Sequence, residues 1–180
     1  MLQKNNRYKI LKLFFENPIS NGIGFQLREI SRKVKVAPPS VKKYLNELEK
    51  EGLITKGTLK IFLSYPLYYA NRDNNYFLFL KKIDTIQSIK ESGLLDYLSD
   101  KCMPDVIILF GSASRGEDLK DSDIDLFVQS KEKKLDLKTY EKQLNRKINV
   151  FFNDNFNLLS KELKNNIING IILKGYLKVF

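Results

Sequence analysis

The sequence predicts an α+β protein in two parts, a basic helical module followed by a second module built on a mixed sheet with helices. Three observations predict this. Residues 1–60 hold 13 basic and 5 acidic side chains, a net +8, whereas residues 61–180 hold 18 and 16, a net +2. Three short helical patterns and a hairpin pattern follow one another in the first third of the chain. Farther on, two apolar strands bracket a Gly-Ser turn and an Asp-Ile-Asp triplet. A charge asymmetry of this kind suggests a polyanion-binding module joined to a near-neutral one, although lysine-rich surfaces also serve solubility alone.

Composition narrows the chemistry. The 180 residues are 43% hydrophobic and 29% charged with a net charge of +10, the balance of a chain that forms cores. The absence of histidine excludes histidine acid–base catalysis, Ser-His-Asp triads and His-ligated zinc. The single Cys102 excludes an internal disulfide and reads as a small buried residue in a reducing cytoplasm. No apolar run approaches the ~18 residues of a membrane span, and MLQKNNRYKI lacks the apolar stretch of a signal peptide. A cytoplasmic protein with no membrane association is expected. Its polar chemistry has to come from carboxylates, hydroxyls and cations.

In the first module, Ile10, Leu11, Phe14 and Phe15 recur at helical spacing, predicting a helix over 3–16 stopped by Asn17-Pro18. Leu27, Ile30 and Val34 mark a second helix. Val41, Tyr44, Leu45 and Leu48 form one apolar stripe of a third, with Pro38 or Pro39 in its first turn and Gly52 just past its end. Leu53–Lys56, a turn at Gly57 and Leu59–Leu63 read as a β-hairpin.

Three helices and a hairpin in this order make a winged helix-turn-helix, and REISRKVKVAPPSVKKYLNELEKEGLI resembles archaeal and bacterial winged-helix regulators. In such folds the third helix enters the DNA major groove and the wing touches the backbone. Ser40, Lys42, Lys43, Asn46 and Lys50 are then the DNA-facing set, with Lys56 and Lys60 on the wing. Lysine and serine would hold phosphates, while Asn46 could read a base edge. A winged helix used for protein contact would leave the same lysines as solvated surface; the net +8 favours double-stranded DNA.

Residues 67–99 read as an aromatic and helical bridge between domains at 1–66 and 100–180. Tyr65, Tyr68, Tyr69, Tyr76, Phe77 and Phe79 could stack on bases, but a dense aromatic cluster more often packs an inter-domain core, and one helix is expected from about Phe77 to Leu98.

In the second module, Val106–Phe110 predicts a buried strand that Gly111-Ser112 ends, with a short turn or helix following. Ser122–Val128 predicts another strand in which Asp123 and Asp125 alternate with Ile124 and Leu126. Side chains two apart on a strand share a face, about 6.6 Å apart at ~3.3 Å per residue. Two carboxylates so placed can converge on a pair of Mg²⁺ ions roughly 3.5–4 Å apart. A solvent-facing edge strand would carry the same pattern. The wider acidic run Glu117, Asp118, Asp121, Asp123 and Asp125 suggests a metal site, because like charges repel unless a cation neutralises them. A helix over 131–145, a strand over 146–152, a helix over 158–168 and a final strand complete the module.

Gly-Ser, ten residues, then Asp-x-Asp is similar to the signature of the DNA polymerase β-like superfamily, particularly its minimal nucleotidyltransferases. Fusions to a winged helix of this length resemble archaeal proteins. The resemblance implies that Gly111 admits a nucleoside triphosphate, ATP being expected, and that Ser112 and Arg115 hold its phosphates. It implies that Asp123 and Asp125 bind Mg²⁺ in the two-metal manner, while an acceptor hydroxyl attacks the α-phosphate. The third carboxylate of that family falls on Asn149, which coordinates weakly and cannot act as a base, so the second metal position is weakened. Asp154 lies beyond the strand. Two functions follow: an enzyme with a DNA-binding winged helix that transfers AMP or another NMP from an NTP to a hydroxyl, antitoxin-like protein modification being one option for the acceptor, or a DNA-binding regulator whose degenerate domain only binds nucleotide or a partner. A homodimer on DNA is open, as no dimer seam stands out.

Overall fold

The computed structural model describes residues 5–18, 24–58 and 65–179. It divides into two compact units, at Met1–Lys81 and Lys82–Phe180. Among the described residues no helix is long and apolar enough to cross a membrane.

In the first unit, α1 (Asn6–Glu16) is capped by the Asn5 side chain, which accepts from the Tyr8 N–H. After β1 (Phe25–Gln26), α2 (Leu27–Val34) ends at Lys35 in the left-handed region, and α3 (Pro38–Lys50) opens on two prolines whose missing N–H groups cost nothing there. Ile10, Phe14, Ile30, Val41, Leu45 and Leu48 are fully buried together, so the three apolar stripes read from the sequence meet in one core.

The hairpin differs from expectation. Strand β2 (Ile54–Thr58) runs straight through Gly57 and pairs antiparallel with β3 (Pro66–Ala70), Gly57 opposite Leu67. The expected return strand Leu59–Leu63, and Lys60 with it, lies outside the described residues. Gly57 serves close approach rather than a turn: a Cβ there would lie 3.2 Å from the Tyr69 ring. Strand β3 also pairs with β1, giving the order β1-β3-β2. The segment assigned from sequence to an inter-domain bridge therefore begins as the central strand of the first unit. Its Tyr68 and Phe77 are buried in that unit's core, while Tyr65, Tyr76 and Phe79 are exposed. The Asn74 and Asn71 side chains both donate to the Gly52 carbonyl, fastening the start of α4 (Asn75–Glu91) to the end of α3. The single helix expected to Leu98 is two, since Ser92 and Gly93 separate α4 from α5 (Leu94–Cys102).

In the second unit, β4 (Val106–Phe110), β5 (Ile124–Val128), β6 (Ile148–Phe152) and β7 (Ile171–Gly175) form a sheet of order β6-β5-β4-β7. Only β5 and β6 are parallel, so the sheet is mixed as expected. All five β4 side chains are buried because both faces are covered. Ile107 and Leu109 pack with α5 on one face, and Val106, Ile108 and Phe110 pack with Phe156 and Ile167 on the other. The helix expected over 131–145 is confined to α7 (Lys138–Leu144), and the later one to a 3₁₀ turn at Phe156–Leu158 followed by α8 (Lys161–Ile168).

Candidate active site

The site forms where β4 ends beside the start of β5. Phe110 pairs with Asp125, which pairs in turn with Asn149 on β6, so the three occupy one row across the sheet. Gly111 follows Phe110 at φ +73°, and a Cβ there would stand 2.6 Å from Asp125 Oδ2. Both the backbone conformation and the carboxylate behind it require glycine. Gly111 opens the one-turn helix α6 (Gly111–Arg115), where the Ser114 hydroxyl donates to the Gly111 carbonyl at 2.8 Å. Ser112 is half-buried on this turn.

Asp123 precedes β5 and Asp125 lies within it, and one side chain joins them. The Asn149 Nδ2 group donates to Asp123 Oδ2 at 3.1 Å and to Asp125 Oδ1 at 3.0 Å. The residue standing where the third carboxylate was expected is therefore beside both others. Its amide hydrogens lie against them where a third negative charge would repel them. Asp154 is exposed beyond the strand.

Arg146, absent from the expected site, supports it. Its guanidinium donates through Nε to the Ser122 carbonyl at 2.7 Å, through Nη2 to the Asp123 carbonyl at 2.9 Å, and through Nη1 to Asp118 Oδ2 at 2.9 Å. The Arg146 and Asp118 side chains are 13% and 5% exposed. Ser122 Oγ closes the turn by accepting from the Leu119 N–H. The arginine thus fixes the backbone from which Asp123 projects. No spacing signal marks it, because its partners are carbonyls 23 and 24 residues away.

The acidic run does not gather into one cluster. Asp118 pairs with Arg146 and Glu117 with the exposed Arg115 at 2.7 Å, so these two carboxylates are structural or superficial. Asp123 and Asp125 alone converge at the amide. Among the described residues no group of three or more His, Cys, Asp or Glu side chains is arranged for a metal ion. Two carboxylates nevertheless fit Mg²⁺, which is commonly held by one or two carboxylates, with waters and substrate phosphates completing its shell. Cys102 is buried and its thiol is pushed up by burial, partly offset by Lys133, as suits a packing residue.

In the first unit, α3 buries Val41, Leu45 and Leu48 and exposes Ser40, Lys42, Lys43, Asn46 and Lys50; Lys56 is exposed on β2.

The mixed sheet thus brings a Gly-Ser turn against an Asp-x-Asp pair. Residues 92–177 match the family model described as polymerase beta, nucleotidyltransferase. Residues 26–55 match the model described as winged helix-turn-helix DNA-binding. No curated protein matches the chain. The chain thus carries a polymerase β-type nucleotidyltransferase domain behind an N-terminal winged helix-turn-helix domain.

Proposed function

We propose that the second domain transfers a nucleoside monophosphate, AMP from ATP, to a hydroxyl acceptor, and that the first holds the protein on double-stranded DNA. The observation that carries the enzymatic reading is the meeting of Gly111, Asp123 and Asp125 at one strand end. Gly111 leaves room for a phosphate to approach the backbone, and Ser112 and Arg115 supply a hydroxyl and a positive charge for the outer phosphates. Asp123 and Asp125 would hold Mg²⁺, which supplies neutralising charge at the transferring group when bound. The acceptor oxygen forms a bond to the α-phosphorus, the bond from that phosphorus to the β-bridging oxygen breaks, and pyrophosphate leaves. Asn149 cannot take the acceptor proton, so water has to receive it and turnover is slow. By family resemblance the acceptor is a partner protein's hydroxyl, as in antitoxin-type modification.

Asn149 also favours a second reading. An amide that already hydrogen-bonds both carboxylates suits a domain that binds nucleotide or a partner without transfer. Incubation with Mg²⁺ and α-labelled ATP separates the two. Label is expected to reach an acceptor with the wild type and not with Asp123→Ala/Asp125→Ala. Nucleotide binding by the wild type without any label transfer would leave only the second reading standing.

For the first domain, affinity for duplex DNA is expected to fall steeply with salt. Lys42→Ala/Lys43→Ala should flatten the log–log slope by about 2, at roughly 0.9 for each phosphate no longer neutralised. A salt-independent affinity would overturn the DNA reading.

A further inference from the structure

We infer that Phe151 is the platform on which the nucleobase of the substrate stacks, an inference that rests on the nucleotide reading above. Alternate residues of a strand share a face, so Phe127 and Phe151, the register pair one step along from Asp125 and Asn149, lie on the same face as the acidic pair. Phe110 and Phe127 are buried there, whereas Phe151 is 43% exposed. The Phe110 and Phe151 rings make a T-shaped contact, centroids 5.5 Å apart at 67°. Phe110 lies on β4 and Phe151 on β6, so this contact crosses β5, the strand that carries Asp125.

In-line transfer sets the axis of the reaction. With the departing pyrophosphate over Gly111 and Ser112, beyond the end of β4, and the α-phosphate over Asp123 and Asp125, the acceptor has to approach from the β6 side. The attacking and leaving oxygens then lie on a line across the strands. The nucleoside, an equatorial substituent of the α-phosphorus, departs at right angles to that line, and one such direction runs along the strands toward β6 and Phe151. In that direction the next row is Phe127, which is buried, and Phe151, whose ring is the exposed one. Stacking on a phenyl ring accepts any base and favours the larger purines.

Binding of ATP and of inorganic tripolyphosphate, both with Mg²⁺, is measured by calorimetry for wild type, Phe151→Ala and Phe151→Leu. The wild type is expected to bind ATP more tightly than tripolyphosphate. Phe151→Ala should weaken ATP about 10-fold, the loss of one aromatic–base stack, and leave tripolyphosphate unchanged. Phe151→Leu keeps apolar bulk without the π face and should recover only part of that loss. Equal ATP affinity in wild type and Phe151→Ala would overturn the stacking role while leaving the phosphate site intact. Failure of the wild type to bind either probe would overturn the nucleotide reading and this inference with it.

Discussion

Replacing Asn149 with aspartate should make the second unit depend on a divalent cation for its stability. In the wild type the Asn149 amide donates to both Asp123 and Asp125 at about hydrogen-bond length. Asn149→Asp removes both donated bonds and places a third negative charge beside two others. In EDTA the expected cost is about 1–3 kcal/mol, from the lost hydrogen bonds and the like-charge repulsion. For a unit of this size that corresponds to a melting temperature lower by roughly 5–15 °C. Millimolar Mg²⁺ or Mn²⁺ should restore most of it, because the three carboxylates then share a cation. The wild type, whose amide already balances the pair, should melt at nearly the same temperature with or without metal. Thermal melts of the two proteins with EDTA and with Mg²⁺ check this, and an Asn149→Asp protein indifferent to metal would contradict it.

The second large effect is expected at Arg146. Arg146→Met leaves the buried Asp118 carboxylate without its guanidinium, and breaking a buried pair of this kind costs about 3–5 kcal/mol. Denaturant unfolding should show it as a lower midpoint. Arg146→Met/Asp118→Leu removes both charges together and should recover part of the stability. That double variant still lacks the donors that hold the Ser122 and Asp123 carbonyls. Its ATP affinity in Mg²⁺ should therefore stay below wild type even where it is fully folded. A single variant as stable as the wild type would show that the buried pair carries no structural weight.

The parts legible in the sequence were those whose signal is local. The stripe Val41, Leu45, Leu48 and the buried run Val106–Phe110 follow from periodicity, and both stand in the structure as read. The match of Asn149 to the row of Asp125 followed from a family pattern over a strand of five residues. What failed depended on partners distant in sequence. Gly57 looked like a turn because glycine often is one, but the Tyr69 ring that explains it comes from β3. The acidic run looked like one metal cluster, yet Asp118 belongs to Arg146, 28 residues on. The tyrosines at 68 and 69 looked like a bridge, since nothing local says that β3 completes the sheet of the first unit. Charge and aromatic content name candidates; only pairing across the fold assigns them.

The most direct test of the central claim, that Asp123 and Asp125 form a nucleotidyl-transfer site weakened by Asn149, is the rate of label transfer from α-labelled ATP by wild type and Asn149→Asp in Mg²⁺. Slow transfer is expected from the wild type, and transfer at least about 10-fold faster from Asn149→Asp, as when a missing general base is supplied. No transfer by either protein, with ATP bound by both, would contradict that claim.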